Sequence, residues 1–399
     1  MSSPSPIKIP IVDLRAQYAT IRAEVRSAID EVAESQQFIL GPAVAQFEAQ
    51  MANYLNCHQT IGVASGSDAL LLALMALDIG PGDAVITTPF TFFSTVSAIT
   101  RLGATPLFVD IESDGYLLSA QGVEQFLSQR GKINQGVTTE VKSGLRIKAL
   151  LPVHLFGQCC AMNELAALAR KFQLRIVEDV AQACGARVTI AGAEKFAGAI
   201  GDLGCFSFFP SKNLGGFGDG GLVSANSSEL AARLRMLRMH GESAKYHHAV
   251  TGINSRLDAL QAAVLTVKQK YLEAWCEERI ERAGTYQRLF SASGMVGNGI
   301  LVIPPPSVGK SHVYNNYVVG AERRDALKQF LAESGIQSEI YYPLPLHLQT
   351  CFADLAYKQG DFPKAEAAAQ QVLALPLYPE LTLAQQEAVV ERVGAFYRR

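Results

Sequence analysis

The sequence predicts an α/β fold in which a mainly parallel sheet lies between helices, followed by a smaller α/β domain. From about residue 60 to residue 225, short apolar runs rich in β-branched residues alternate with segments of helical spacing. This alternation is typical of parallel sheets covered on both faces, which bind ligands beyond the carboxyl ends of their strands. The 399 residues suit two domains, and 49% hydrophobic residues can fill a sizeable core.

The individual elements of this first region follow from the same pattern. Strands are predicted at residues 84–88, 105–109, 148–153 and 174–178, and helices at residues 68–78 and 162–172. Each predicted strand is a short run of mostly apolar side chains, and each predicted helix repeats its apolar side chains at helical spacing. The residues that follow each strand are therefore the first candidates for chemistry.

The second half of the chain has a different pattern. Residues 254–292 contain one glycine and no proline, which predicts a long helix leaving the first domain. After the prolines at 304–306, the sequence predicts strands at 312–320 and 338–342 with a helix at 323–334 between them. Further helices to the end complete a smaller C-terminal α/β domain.

Composition excludes several classes of function. The net charge of −2 gives no basic field for nucleic acid or an anionic membrane. The longest apolar run, residues 69–77, is far short of the roughly 18 residues of a membrane span. Seven cysteines without a CxxC pair predict neither a disulfide framework nor a zinc site, and most are expected to be buried thiols in a reducing cytoplasm. The polar, proline-rich residues 1–10 are expected to form a loose tail.

A serine–glycine pair precedes the first predicted helix of the sheet region. Ser65, Gly66 and Ser67 follow a strand-like segment and open the helix. Small polar residues at a helix start leave backbone N–H groups free to bind an anion such as a phosphate. Taken alone, the pattern favours a simple helix N-cap over an anion site.

Two acids end the strand predicted at 174–178. Glu178 and Asp179 stand at its carboxyl end, where a buried carboxylate is costly unless a cation lies near it. The protonated pyridine nitrogen of pyridoxal phosphate is one such cation. A carboxylate that caps a helix is the alternative.

Lys212 lies in a glycine-rich loop after an aromatic strand-like segment, in the sequence SFFPSKNLGGFGDGG. Partial burial lowers the pKa of a lysine and frees its amine for Schiff-base chemistry. The glycines allow the backbone to turn closely around a bulky cofactor. Together the three motifs predict a phosphate cradle, an acid and a lysine at one edge of the sheet.

The chain resembles the DegT/StrS-type sugar aminotransferases, which are pyridoxal-phosphate enzymes of fold-type I. The resemblance rests on the segments VDLRAQY, FILGP, ASGSDAL, TPFTFFST, GATPLFVDI, LPVHLFG, EDVAQACGA, SFFPSKNLGGFGDGG, GINSRLDALQAAVL, IYYPLPLHLQ and LPLYPEL. It implies a large cofactor-binding domain at residues 1–255 with a mainly parallel seven-stranded sheet flanked by helices. A linker helix and a small C-terminal α/β domain are expected at residues 256–399.

The resemblance also implies the roles of the cofactor residues. Lys212 is expected to form the Schiff base and to move a proton as general acid–base, and Asp179 to pair with the pyridine nitrogen. The other expected cofactor contacts are Gly66, Ser67 and Ser207 at the phosphate, Phe92 on the ring, Gln182 near the ring hydroxyl, and Asn254 from a neighbouring subunit. A core phenylalanine is the alternative for Phe92. No metal is expected.

The sugar nucleotide is expected near Phe38, Ser211, Arg256, Tyr341 and Tyr342. The fork of Arg256 suits a diphosphate, although a surface salt bridge is an equal alternative. For the two tyrosines, ordinary strand packing is the alternative. If Asn254 reaches the neighbouring site, the protein is a two-fold homodimer with shared active sites.

The implied reaction is transamination of a keto-sugar nucleotide, with glutamate as the expected donor and pyridoxamine phosphate formed between the two half-reactions. The stretch AKYHHAVTGINSRLD favours amination at C3 of the sugar over C4.

Two positions depart from the family pattern: Cys184 replaces a histidine, and Ser67 replaces a threonine but keeps the hydroxyl. Three alternatives remain: an aminotransferase for a cyclitol or other non-nucleotide ketone, a dehydratase of the same fold, and a non-catalytic regulatory relative. Dehydratases of this fold carry histidine in place of Lys212.

Overall fold

The computed structural model describes residues 8–112, 115–296 and 299–399. The strands are β1 (Gln59–Val63), β2 (Asp83–Thr87), β3 (Thr105–Phe108), β4 (Gly131–Asn134), β5 (Val137–Glu140), β6 (Arg146–Leu150), β7 (Arg175–Asp179), β8 (Arg187–Ile190), β9 (Ala193–Phe196), β10 (Leu203–Ser207), β11 (Gly221–Ala225), β12 (Glu242–Ala244), β13 (His247–His248), β14 (Leu301–Val302), β15 (Tyr317–Ala321) and β16 (Val372–Leu375). The helices are α1 (Leu14–Ser35), α2 (Gly41–Leu55), α3 (Gly66–Ala76), α4 (Phe93–Arg101), α5 (Ala120–Arg130), α6 (Met162–Lys171), α7 (Ser228–Leu237), α8 (Ala259–Gln269), α9 (Leu272–Ala292), α10 (Arg324–Glu333), α11 (Pro363–Gln371) and α12 (Leu383–Tyr397).

The large sheet has a path of seven strands in the order β1-β11-β10-β7-β6-β2-β3. Neighbouring strands are parallel from β10 to β3, whereas β11 is antiparallel to both β10 and β1. The hairpin β4–β5 pairs with β6 and enlarges the sheet to nine strands. The predicted mainly parallel sheet flanked by helices is confirmed.

This topology brings the carboxyl ends of six strands to one edge of the sheet. Within the seven-stranded path only β11 runs in the opposite direction, so β1, β2, β3, β6, β7 and β10 all end on the same side. The buried helix α3 begins directly after β1, with Ser65 as its N-cap accepting from the backbone N–H of Asp68. The first turn of α3 therefore lies at that edge, where open α/β sheets bind their ligands.

The predicted long helix at 254–292 is wrong, because the chain forms two helices and an extended start there. Residues 254–258 are extended and paired, with Asn254 bridging Met239 and Asp258 bridging Ile39. Helix α8 then packs on α1 and α2, whereas α9 packs on α12. At the break between the two helices, the side chains of Lys270 and Tyr271 both bond to Glu24 of α1. Because these are tertiary contacts, the sequence shows no glycine or proline at the break.

The small C-terminal sheet has the antiparallel order β14-β15-β16. The predicted strand at 312–320 is shorter than expected, because residues 313–316 instead bond to the turn at Leu155–Gly157, with the N–H of Val313 donating to the carbonyl of Gly157 at 2.9 Å. The predicted strand at 338–342 is wrong: Glu339 makes a single bridge to Ala374. Prolines at 343 and 345 cannot donate to a ladder, and the chain turns towards the large sheet instead.

The segment after that turn docks on the large sheet. The backbone N–H of Leu346 donates to the carbonyl of Pro89 at 2.8 Å, and the rings of Phe352 and Phe93 stack with centroids 5.3 Å apart. The residues before α1 pack on the small domain, because Ile9 is buried in the core of that domain. We propose the domain division at residue 255, with α8 and α9 as the connection.

The remaining general features concern the cysteines and the termini. The seven cysteines are free thiols, and five of them are buried. Within residues 8–112, 115–296 and 299–399, none of the helices has the length and apolar character needed to cross a membrane. Most of the predicted N-terminal tail, residues 1–7, lies outside the described residues.

Candidate active site

A cavity of about 390 Å³ opens at the carboxyl edge of the large sheet. Its volume falls in the range of roughly 300–1,000 Å³ that is usual for small-molecule sites. Ten of the residues predicted from the sequence line it, namely Gly66, Ser67, Phe92, Asp179, Gln182, Ser207, Ser211, Lys212, Tyr341 and Tyr342. The two tyrosines come from the small domain, so the cavity lies between the two sheets.

Lys212 reaches the cavity from the loop that follows β10. The loop is tight: a Cβ on Gly215 would lie 2.2 Å from the carbonyl oxygen of Pro210, so only glycine fits there. The N–H of Lys212 donates to the carbonyl of Phe209 at 2.9 Å and fixes the start of the side chain. Burial lowers the pKa of Lys212 to about 8, although the charge of Asp179 opposes this shift. A usable fraction of free amine therefore exists near neutral pH.

Asp179 is the last residue of β7 and its carboxylate is buried in the cavity wall. Its Oδ2 accepts a hydrogen bond from the hydroxyl of Thr95 at 2.8 Å, and its Oδ1 accepts from the N–H of Ala181 at 3.2 Å. Burial raises the pKa of Asp179, while these two bonds and the charge of Lys212 act in the opposite direction. No helix begins after β7 in the described chain, which continues through turns to β8, so Asp179 is not a helix cap.

Glu178, the preceding acid, has a different environment. Its carboxylate accepts from the backbone N–H groups of Gly198, Ile200 and Gly201 at 2.7–2.9 Å. It also lies 3.0 Å from Nε2 of the buried His154, whose Nδ1 accepts from a backbone N–H. The proton of His154 therefore sits on Nε2 and is donated to Glu178. This cluster is structural, and it holds the loop before β10.

The opposite end of the cavity is built from small polar residues. Gly66 opens α3 beside Ser207 at the end of β10, so closely that a Cβ on Gly66 would lie 2.6 Å from that of Ser207. The hydroxyls of Ser67 and Ser94 are 2.6 Å apart. Free N–H groups at the start of a helix, together with three hydroxyls, form an anion site of the kind that holds phosphates.

Gln182 joins the two domains across the cavity. Its Oε1 accepts from the backbone N–H of Phe156 at 2.6 Å, which fixes the orientation of the amide. Its Nε2 then donates to the hydroxyl of Tyr342 at 3.0 Å. Burial raises the pKa of Tyr342, so its phenol stays protonated. The ring of Phe92 is 54% exposed and lies 6.0 Å from that of Tyr342, which is not the environment of a core phenylalanine.

Three predicted residues lie outside this cavity. Asn254 and Arg256 line an adjoining, more open pocket of about 640 Å³, which shares Ser65 and Asp219 with the first. Phe38 is 40% exposed, next to Ile39, which lines the same pocket. The single chain therefore does not bring these three residues to Lys212.

Sequence reasoning also missed several residues of the cavity wall. Thr95, Ser94, Asp219, Asn315 and Asn316 contact or line the site without having been predicted. Ser94 and Thr95 lie in the TPFTFFST segment, in which the sequence predicts only Phe92 as a site residue. The two asparagines lie in the segment that was predicted as a strand, and Oδ1 of Asn315 is buried without a hydrogen-bond partner among the described residues.

Cys184, which replaces the histidine of the family pattern, lies away from the cavity in the buried core beside α9. Its carbonyl oxygen is 3.8 Å from Sγ of Cys276, and burial raises the pKa of both thiols. The next residue, Gly185, would place a Cβ 2.7 Å from the same sulfur. Cys184 therefore belongs to the core packing and does not line the cavity.

Comparison with known proteins gives a consistent result. A family model described as the DegT/DnrJ/EryC1/StrS aminotransferase family matches residues 19–394. The chain is 44% identical over 98% of its length to a "pleiotropic regulatory protein" of Geobacillus stearothermophilus, of which 99% is covered. It is 42% identical to the UDP-N-acetyl-3-dehydro-α-D-glucosamine 3-aminotransferase of Acidithiobacillus ferrooxidans, over 98% of this chain and 97% of that one.

A solved structure agrees with these relatives. DesV of Streptomyces venezuelae, crystallised in complex with a ketimine intermediate, superposes with a TM-score of 0.88 at 40% identity. The alignment covers 99% of this chain and 100% of that one.

Proposed function

The chain belongs to the DegT/DnrJ/EryC1/StrS aminotransferase family, and from that premise we propose that it transfers an amino group from L-glutamate to a keto-sugar nucleotide. It is a pyridoxal-phosphate-dependent aminotransferase of amino-sugar biosynthesis. The observation that carries the proposed chemistry is a cavity in which a lysine of lowered pKa, a buried carboxylate and a helix N-terminus meet.

The residues present suit the cofactor at each of its ends. The start of α3 with Ser67 and Ser207 would hold the phosphate, and the glycine at 66 leaves room that a Cβ would fill. Asp179 would hold the pyridine nitrogen in its protonated form, and Phe92 would cover one face of the ring. When bound, pyridoxal phosphate supplies an aldehyde for the lysine and a ring that withdraws electrons from the substrate carbon.

The protein's own part in the reaction is to position groups and move protons. Lys212, with its pKa lowered to about 8, offers a free amine to the cofactor, and the same amine would carry a proton to and from the substrate carbon. Asp179 would supply the negative charge that pairs with the ring nitrogen. Gln182 and the protonated Tyr342 present hydrogen-bond donors at the boundary between cofactor and substrate.

The substrate proposal rests on the pocket beside the cavity. The guanidinium fork of Arg256 would bind the diphosphate of a sugar nucleotide with two hydrogen bonds. Phe38 precedes Ile39 of the same pocket, and Ser211 lines the adjoining cavity. We propose amination at C3 because AKYHHAVTGINSRLD resembles C3 enzymes and because the Acidithiobacillus relative is named for a 3-keto sugar.

We also propose a homodimer in which Asn254 serves the cofactor of the partner subunit. Asn254 is exposed and lies outside the cavity of its own chain. Large apolar side chains are exposed around the same face, among them Phe38, Ile39, Phe209 and Phe217. An exposed patch of this kind is typical of a subunit interface. The free thiols favour a cytoplasmic location.

A regulatory protein that has lost catalysis is the second candidate, since the Geobacillus relative carries a regulatory name. The amine at 212 and the buried acid at 179 argue for an intact catalytic pair instead. Lys212 also argues against a dehydratase. An aminotransferase for a cyclitol or another non-nucleotide ketone differs only in the pocket that holds Arg256.

The test is to purify the protein with pyridoxal phosphate and offer glutamate with 3-keto and 4-keto UDP- and dTDP-sugars and a keto-cyclitol. We expect a yellow protein that bleaches with glutamate and forms an amino sugar from a 3-keto sugar nucleotide. Lys212→Ala should be colourless and inactive, while the exposed control Lys142→Ala should behave as the wild type. A colourless wild-type protein that pyridoxal phosphate does not restore would support the regulatory candidate.

A further inference from the structure

Two buried threonine side chains form a short chain of hydrogen bonds that ends at the carboxylate of Asp179. Thr95 lies in the first turn of α4 and Thr91 precedes that helix, and both side chains are buried. The two hydroxyl oxygens are 2.9 Å apart, and that of Thr95 is 2.8 Å from Oδ2 of Asp179. These contacts form one line, from Thr91 through Thr95 to the carboxylate.

The number of available protons decides which hydroxyl donates in each of these two hydrogen bonds. An ionised carboxylate can only accept, so Thr95 donates its single hydroxyl proton to Asp179. In the contact with Thr91, Thr95 then has only lone pairs to offer, and Thr91 must be the donor. The N–H of Ala181, which donates to the other oxygen, favours the ionised carboxylate in the same way.

The other groups around Asp179 do not replace this hydrogen bond. Lys212 faces it and contributes through its charge, while His154, Cys205 and Tyr342 face it without donating a hydrogen bond to it. Both ring nitrogens of His154 already have partners. Within the described residues, Thr95 supplies the one side-chain hydrogen bond to this carboxylate.

We propose that Thr95 is a positioning residue that keeps the carboxylate of Asp179 ionised and aimed at the cofactor ring, with Thr91 fixing the direction of the Thr95 hydroxyl. This inference rests on the proposed function, because it gives Asp179 a cationic partner in the cavity. A hydrogen bond to a charged group is stronger than a neutral one, and it rotationally fixes the carboxylate plane.

The test measures the dissociation constant of pyridoxal phosphate from the cofactor-free protein, alongside the melting temperature of that protein. Thr95→Val keeps the side-chain shape and removes the hydroxyl, and it should raise the dissociation constant on the order of tenfold. Thr95→Ser restores the hydroxyl and should stay within about twofold of the wild type. Thr91→Val should lie between the two. A merely structural role would lower the melting temperature of Thr95→Val and leave the dissociation constant of the cofactor unchanged.

A double-mutant cycle with Asp179→Ala separates this inference from the proposed function. In the Asp179→Ala background, Thr95→Val should add nothing, because its acceptor is gone. Equal affinity of Thr95→Val and wild type, or the same loss with and without Asp179, would overturn the inference while leaving the proposed function intact. Full affinity of Asp179→Ala itself would overturn the role of Asp179 and therefore both.

Discussion

Glu178 and Asp179 are consecutive residues at the end of β7, yet their carboxylates bind unrelated groups. Successive side chains of a strand point to opposite faces of the sheet. Glu178 accepts from three backbone N–H groups of residues 198–201 and from His154, whereas Asp179 lies in the cavity and bonds to Thr95. One acid therefore maintains the fold and the other is available for chemistry, which the sequence motif alone does not distinguish.

The first prediction concerns the structural acid. Glu178→Gln keeps the shape of the side chain but replaces one carboxylate oxygen by an NH₂ group, which cannot accept a hydrogen bond. That group must face two hydrogen-bond donors, either Ile200 and Gly201 or Gly198 and His154. We expect a loss of roughly 2–4 kcal/mol in the free energy of unfolding, measured with urea on the cofactor-free protein. The exposed control Glu124→Gln should change it by less than about 0.5 kcal/mol. A loss below about 1 kcal/mol for Glu178→Gln would contradict the assigned hydrogen bonds.

The second prediction concerns the close contact at the start of α3. Gly66→Ala places a methyl group 2.6 Å from Cβ of Ser207, so the helix start or the end of β10 must move. We expect the affinity for pyridoxal phosphate to fall about tenfold or more, the equivalent of roughly 1–3 kcal/mol of overpacking. Adding Ser207→Gly should remove the clash and recover part of the melting temperature, although not the hydroxyl contact.

Gly284→Ala is the matched control for that substitution. Gly284 lies within α9, and the nearest atom to an added Cβ is 3.8 Å away. Alanine there should raise the free energy of unfolding by roughly 0.5–1 kcal/mol and leave cofactor affinity unchanged. If Gly66→Ala also left the affinity unchanged, the phosphate would have to bind elsewhere.

Much of this fold and part of the site could be predicted from the sequence because the relevant signals are local. Asp179 and Ser207 end strands and Lys212 follows one, and parallel strands bring such residues to one edge. Thr95 has no local signal, because its partner Asp179 is 84 positions away. Likewise, the break after α8 depends on contacts with α1, which periodicity does not detect.

The third prediction concerns the pH at which the protein captures the cofactor. Since burial lowers the pKa of Lys212 to about 8, its free-amine fraction rises steeply between pH 7 and pH 9 and then levels off. The rate at which the cofactor-free protein turns yellow should follow that curve in a stopped-flow series. A midpoint near the ordinary lysine value of about 10.4 would contradict the desolvated environment.

Asp179→Asn is a control for the same experiment, because the structure predicts the direction in which it shifts the midpoint. The negative charge of Asp179 raises the pKa of Lys212 against the effect of burial. Removing that charge should lower the pKa further, so the midpoint of the capture curve should move to lower pH. A shift to higher pH would mean that the two groups do not interact as the structure indicates.

The fourth prediction tests whether active sites are shared between subunits. In a mixed dimer of Lys212→Ala and Asn254→Ala chains, a partner-borne Asn254 would place both substitutions in one site and leave the other site intact. Random pairing makes half of the dimers mixed, so about a quarter of the wild-type activity should return on co-expression of two nearly inactive variants. If Asn254 served its own chain, each site would keep one defect and no activity would return.

The control for that experiment is a pair of substitutions within one cavity. Lys212 and Asp179 line the same cavity of a single chain, whereas Asn254 lies in the adjoining pocket. Mixed dimers of Lys212→Ala and Asp179→Ala should therefore remain inactive, because each site retains one defect. Recovery in the first mixture but not in the second would locate Asn254 across the subunit boundary. It would also explain why this residue lies apart from the lysine in the single chain.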